Sequence, residues 1–473
     1  MSENTHPLGT VARLNEEDIK ELDDGLRGSL VLPDHEAYED TRNVWNGLVN
    51  KYPAVIVRAE GGVDVARAVK FARDNDLELA VRGGAHNQTG AAMVDNGLVV
   101  DLEEMDDIHI DPGEQVARVG PGNRAEDVLA ETQEFGLATP TGSAGSVGIS
   151  GPTLGGGIGW IRRKHGLAVD ALRSVELVTP DGELRTASPD HNEDLYWAIR
   201  GGGGNFGVVT NFEFDLYEVG PIVGGLGVFY PADHANAVLE TYRDVMADAP
   251  EELTTIVFNG HVPALPALPD DIHGEDTMGI LGCYVGNPEE GMQVIEPLRG
   301  VADPIIDLSE PMPYEVLHDL GTQLYPWGRN YVHRSVFLDE LSEDIYQIFR
   351  EQTEAAPGSM DAMAIWSMGG NVGHGEPAAF AWDDKQYMMT IEANWEHYEN
   401  NREFEWARKT ERMLRDAGGE GAYMGFTGIE EQDWEDWAEQ VYAENYDRLA
   451  EVKAEYDPLN TFQQNVNINP TGD

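Results

Sequence analysis

The chain has 473 residues, 41% hydrophobic and 25% charged, with 10 Trp and 17 Tyr, a globular composition long enough for two or three domains. Acidic residues outnumber basic ones 86 to 31, a formal net charge of −55, which disfavours nucleic-acid binding because counterion release needs clustered cations. No apolar run approaches the roughly 20 residues of a membrane helix, the start Met1-Ser2-Glu3-Asn4 lacks the marks of a signal peptide, and the single Cys283 forbids an internal disulfide. A soluble, cytoplasmic chain without a thiolate metal site is the expectation. The acids are spread along the whole length. Both a partner with a cationic surface and a surface adapted to high salt accommodate this, and the even spacing favours the second.

Asn15 reads as the N-cap of a short helix with acids in its first turn. Residues 28–33 read as an extended piece and 38–49 as a polar helix. Strand 54–58, an amphipathic helix over 63–74 with Val65, Ala66, Val69 and Ala72 at helical spacing, and strand 77–81 follow. This unit delivers the chain to Arg82-Gly83-Gly84-Ala85-His86-Asn87-Gln88-Thr89-Gly90, and a second apolar run lies at 98–102. Glycines there admit positive φ and let backbone N–H groups crowd around an anion. A lone loop histidine carries no function by itself.

Strand 116–119 leads into Gly120-Pro121-Gly122 and a helix over 124–135. Residues 120–125 formally match a dinucleotide fingerprint, yet the acid expected roughly 20 positions later is missing. Residues 202–207 match as well, but they follow a helical stretch and precede a strand, the reverse of a Rossmann turn. Neither supplies a nicotinamide site. Between them, residues 140–160 hold eight glycines threaded with Val147, Ile149, Leu154, Ile158 and Trp160, a pattern of buried backbone against something large and flat rather than a flexible linker. Arg162-Arg163-Lys164-His165 is the one tight basic group, and phosphate contact and solvated turn are equal readings of it. Residues 175–179 and 184–187 flank Pro180-Asp181-Gly182 as a hairpin. Past Gly220-Pro221 strands recur near 225–230, 278–284, 362–366 and 387–391, with helices over 339–351 and 400–416 and an exposed loop at 264–274. That is an antiparallel sheet covered by helices. A helix over 433–456 and an Asn-bearing extended end over 457–468 finish the chain.

Four of these stretches, 81–90, 140–160, 200–209 and 456–468, together resemble the vanillyl-alcohol-oxidase superfamily of PCMH-type flavoproteins, and within it the berberine-bridge-enzyme-like branch. The resemblance covers nearly the whole chain. It implies an α+β fold: a two-part PCMH-type FAD-binding domain, made of an N-terminal region and the C-terminal tail, with an inserted antiparallel-sheet substrate domain covered by helices. The implied boundaries are an N-terminal segment 1–46, the FAD domain 47–219, the substrate domain 220–429 and a returning segment 430–473. FAD is implied to be tethered through His86 alone. Some relatives carry a second tether, a Cys three residues before the Val147-Gly148 pair, and Ala144 stands there. By motif, FAD would meet Arg82, Gly83, Gly84, Ala85, His86, Asn87 and Gly90, then Thr141, Gly142, Ser146, Val147, Gly148, Gly151, Gly155 and Gly156. Gly207 and Val209 would lie at the adenosine side, with Asn465 and Asn467 closing over the flavin. No metal is implied.

Relatives take a proton from a substrate hydroxyl or amine while hydride moves to the flavin, often through a tyrosine in an Asn-Tyr pair. The matching place, Tyr423-Met424-Gly425-Phe426, has Gly425 and Phe426 instead. Tyr423 is a candidate substitute, although on a strand it faces away from Phe426. Tyr331 and His333, on one strand face, are the other candidates, with ordinary sheet residues an equal reading. Trp366 and Trp382 are candidate stacking residues, or core. The implied function is an FAD-dependent oxidoreductase acting on a C–H beside a hydroxyl or amine of a small alcohol, sugar or amine, with O₂ or another acceptor. A reductase driven by NAD(P)H and a non-catalytic flavin-binding protein are its rivals.

Overall fold

Two N-terminal sheets and one large sheet carry the architecture of the computed structural model, which describes residues 11, 14–264, 268–319, 322–396, 401–430 and 437–471. Val55–Arg58 and Leu79–Arg82 both pair in parallel with Leu98–Asp101, and Ser29–Val31 lies antiparallel at the edge. These strands are continuous apolar runs because both faces are covered. Val55, Val57 and Leu98 pack under the helix Gly62–Asp74 through Val65, Val69 and Ala72, while Ile56 and Val99 face Val31, Val44 and Met93. Arg82 and Asp101 end neighbouring strands in register. Arg82 Nη1 donates to both Asp101 oxygens at 3.0 and 2.9 Å, and this buried pair marks where the strand stops and the glycine turn begins.

The second sheet is antiparallel and five-stranded, ordered Ile108–Asp111, Val116–Val119, Val208–Asp215, Leu172–Val178, Leu184–Ala187. The hairpin expected around residues 180–182 is its last pair. The chain then enters the large antiparallel sheet, in which Ile222–Pro231, Asp276–Tyr284, Leu253–His261, Ala362–Ser367, Tyr387–Trp395 and Asn330–Leu338 lie side by side. Strand period two splits its residues between faces. Val257, Ile280, Val336, Ile365 and Ile391 meet the helices Ala235–Ala247, Glu343–Glu354 and Arg402–Asp416 through Leu239, Tyr346 and Trp406. The alternate residues, among them Ile256, Ala364, Glu392 and His333, turn toward the glycine loops.

The tail returns to the N-terminal half. Lys453 is fully buried and donates to Asn205 O (2.6 Å), Phe462 O (3.0 Å) and Asp457 Oδ2 (2.7 Å). The Asn205 side chain donates to Val466 O and accepts from Ile468 N. Among the described residues no helix is long and apolar enough to cross a membrane.

The local readings need four corrections. The helix expected over 38–49 stops at Tyr38–Thr41, because the following segment takes tertiary partners instead. Asn46 Nδ2 donates to Gln88 O and Tyr331 O, and Gly47 N donates to Arg329 O. The helix expected over 433–456 is two pieces, Trp437–Tyr442 and Tyr446–Tyr456, separated by a turn in which Ala443 has φ 43°; position 433 lies outside the described residues. Residues 162–165 are neither a solvated turn nor a phosphate contact. Arg162 donates to the carbonyls of Ser367, Gly159 and Thr255, and Arg163 to that of Leu253, so the cations stitch the glycine loop to the large sheet. Tyr423 is not on a strand either. It precedes a short 3₁₀ turn, Met424–Phe426, which brings its ring to 5.3 Å from that of Phe426.

Candidate active site

A cavity of about 360 Å³ lies between the glycine loops and the inward face of the large sheet. Its loop side comes from the turn after Leu79–Arg82 and from residues 142–158. The two loops cross at Gly84 and Gly148, where a Cβ on Gly148 would lie 2.5 Å from Gly84 N. Glycine at both places is therefore a packing requirement. His86 stands at the edge of this crossing, stacked on Trp45 with ring centroids 5.3 Å apart and met edge-on by Trp327. Burial, helped by Arg124, lowers its pKa to about 4. The ring hydrogen-bonds the Ser146 backbone, and its buried Nε2 has no partner among the described residues. A neutral imidazole with a free nitrogen beside backbone-lined glycine loops is a donor set suited to a flavin nucleotide.

Most of the residues named from sequence converge here. Gly83, Gly84, Ala85, His86 and Asn87 line the cavity, as do Gly142, Ser146, Val147, Gly148, Gly151 and Gly155. Gly207, Val209 and Asn465 line its far end, and His333 and Tyr423 its sheet side. Six others stand outside the lining. Arg82 is spent on Asp101 and Glu103. Gly90 turns at φ +72° against Val49, and Gly156 at φ +123° against Phe380. Thr141 Oγ1 lies 3.3 Å from His318 Nε2. Asn467 keeps a buried Oδ1 without a partner among the described residues. Tyr331 stacks on Trp45 at 3.8 Å and donates its hydroxyl to Pro326 O at 2.6 Å. Trp366 lines the cavity, whereas Trp382 stacks on Phe337.

The sheet side carries the polar chemistry. His333 and Glu392 are register partners on adjacent strands. The side-chain amide of Gln88 pairs with the backbone of His333 in both directions (2.8 and 3.2 Å), which ties the histidine turn to this strand. Asn394 Nδ2 donates to Met360 O and Glu392 O, so its Oδ1 accepts from His333 Nε2 at 3.2 Å. That assigns the proton to Nε2 and leaves Nδ1 as a proton acceptor. Burial lowers the His333 pKa, so the ring is neutral near pH 7. Glu392 accepts from Tyr325 Oη at 2.5 Å and from Thr390 Oγ1 at 2.7 Å. Burial and the neighbouring carboxylate hold the Tyr325 hydroxyl protonated, its pKa raised well above the usual phenol range. Tyr423 is a poor proton acceptor: its hydroxyl meets Gly157 N at 3.3 Å, and burial pushes its pKa up to about 12.

Comparison with known proteins agrees with this geometry. Residues 53–188 match the FAD binding domain family and residues 422–469 the berberine and berberine-like family. The (R)-6-hydroxynicotine oxidase of Paenarthrobacter nicotinovorans is 29% identical over 462 residues, covering 94% of this chain and 98% of the relative. An FAD-linked oxidoreductase of Dictyostelium discoideum is 29% identical over 463 residues, covering 96% and 97%. The chain is an FAD-dependent oxidoreductase that carries a berberine-like domain. The crystal structure of 6-hydroxy-D-nicotine oxidase from Arthrobacter nicotinovorans superposes with a TM-score of 0.81 at 28% identity, covering 94% of this chain and 98% of that one. Xylooligosaccharide oxidase from Myceliophthora thermophila shares the fold, with a TM-score of 0.81 at 22% identity and coverage of 96% and 99%.

Three residues of this oxidoreductase's site were not singled out from sequence: Trp45, Tyr325 and Glu392. Glu392 is one acid among 86 acidic residues and had no compositional signal. The usable clue was its place inside the apolar run Tyr387–Trp395. Trp45 and Tyr325 lie in irregular segments whose sequence does not say what they meet.

Proposed function

We propose that this FAD-dependent oxidoreductase oxidises a small organic substrate at a C–H next to a hydroxyl or amine, with FAD covalently attached through His86. The observation that carries the reading is the pairing, across one cavity, of a neutral His86 with an unpartnered Nε2 and a sheet wall bearing His333 and Glu392. Gly84 and Gly148 bring the loops close enough for backbone N–H groups to hold phosphates, and Asn465 closes the far end. Bound FAD supplies a two-electron acceptor for hydride, with O₂ or another acceptor restoring it. His333, neutral and with Nδ1 free of its own proton, accepts the proton of the substrate's hydroxyl or amine. Trp366 and Phe426 exclude water from the reacting face. Phe426 itself takes no proton, and the Tyr423 hydroxyl faces the glycine loop.

Two measurements test this. Anaerobic mixing of flavin-loaded protein with polyols, aldoses and cyclic amines should bleach the flavin with at least one class; no bleaching by any, with full flavin content, sinks the oxidative reading. Acid precipitation should leave yellow colour in the pellet. Flavin found wholly in the supernatant removes His86 as a tether while leaving FAD binding intact.

A further inference from the structure

Glu392 is a buried carboxylate with no cationic partner among the described residues. Its hydrogen bonds run one way. The Trp366 indole can only donate, and it donates to Thr390 Oγ1 at 3.2 Å, so the Thr390 proton goes to Glu392 Oε1. The Tyr325 hydroxyl is held protonated and serves Oε2. Both oxygens accept, as they do in an ionised carboxylate. A charge removed from water is costly unless it is paired; His333 is neutral and hydrogen-bonds Asn394, so the wall offers it no counter-charge.

The rest of this wall is apolar. Ile256, Phe258, Leu281, Ala364, Trp366 and Phe426 line it. Register places Ile256 opposite both Leu281 and Trp366, and Phe258 opposite Ala364, so they form one continuous face. The polar groups nearby are few: Trp366 donates to Thr390 and Tyr325 to Glu392, Thr322 Oγ1 accepts from Gly145 N at 2.8 Å, and His333 keeps Nδ1 as an acceptor. A hydroxyl-rich ligand would leave most of its own donors unpaired against such a wall.

We infer that the site selects an organic amine, a cation on an apolar or aromatic body, with its nitrogen beside Glu392, and that it discriminates against sugars and polyols. The inference rests on the reading of this cavity as the substrate site. Trp366 and Phe426 present aromatic surfaces that favour a cation as well as an apolar body. The overall charge of −55 attracts any cation at long range, but 1 M salt cuts the screening length to about 3 Å and leaves a buried pair nearly untouched.

The test is a titration of holoprotein of known flavin content, in 1 M salt, with phenyltrimethylammonium, with its uncharged isostere tert-butylbenzene, and with cellobiose, read by tryptophan fluorescence and by heat. The cation should bind at least about tenfold more tightly than the isostere, and Glu392→Gln should remove most of that preference, because a neutral amide cannot pair a charge. Equal binding of cation and isostere by the wild type, tighter binding of cellobiose, or a preference that survives in folded Glu392→Gln would overturn the inference. If Glu392→Gln does not fold, the wild-type comparison still decides. Protein purified without flavin and refusing it would defeat the oxidoreductase reading, whereas the binding preference is read independently of turnover.

Discussion

His318 makes a buried link between the large-sheet region and the glycine loop, and it should make the fold acid-sensitive in a removable way. Its Nε2 donates to Gly142 O at 2.9 Å, while Nδ1 is buried without a partner among the described residues. Burial lowers its pKa from the ordinary 6.5 to about 4, against smaller upward pulls from the Gly142 bond and Asp319. Below pH 6.5 the unfolded chain therefore binds a proton that the folded chain refuses down to about pH 4. No penalty exists above that window; it grows on acidification and levels off below it. At pH 5 the stability penalty is roughly 2 kcal/mol, and below pH 4 roughly 3 kcal/mol. His318→Gln keeps a donor for Gly142 O and cannot titrate. Urea unfolding of both proteins at pH 8 and pH 5 isolates the effect, because the titration of the carboxylates is common to both. The wild type should lose about 2 kcal/mol more than the variant between these pH values. A difference that stays constant within about 0.5 kcal/mol, the usual scatter of independent sites, would refute the reasoning.

Gly148→Ala should separate the crossed loops, costing about 1–3 kcal/mol as overpacking, and lower the flavin content of purified protein; wild-type loading would show that the crossing has slack. Lys453→Met leaves Asp457 buried with only its two backbone donors, Thr461 N and Phe462 N. Breaking such a pair costs about 3–5 kcal/mol, and limited proteolysis should then cut within 457–471, whereas continued protection would place the tail's anchor elsewhere. His333→Gln should slow flavin reduction by roughly 10²–10⁴-fold, the usual range for a lost general base. Tyr423→Phe should change it by no more than about threefold, since a hydroxyl with a pKa of about 12 accepts no proton near neutrality. The reverse order would move the proton-accepting role to Tyr423.

Local sequence was informative where backbone conformation is the function. Gly84 and Gly148 are needed because the two loops cross there without room for side chains, and the glycine-rich pattern around them is plain in the sequence; His86 is legible because it sits in that turn. The tail's course was legible only in part. The helix failed at Ala443, and the segment after Thr41 left the helix because Asn46 found partners at Gln88 and Tyr331, contacts no local pattern announces.

The amino-acid sequence by itself marked the glycine loops and the strand-and-helix texture, because these depend on φ, spacing and hydrophobic period, while the cofactor class followed from the resemblance those motifs carry. The tertiary structure alone decided which side chains meet. Tyr331 and His333 are two residues apart on one strand, yet Trp45 covers the first and the second faces the cavity. Glu392 reaches His333 through antiparallel register across 59 residues of chain, and its acid character was invisible against so many others. Burial beside two hydroxyl donors, with no cation among the described residues to pair it, is what distinguishes that one carboxylate, and only the packed sheet creates it.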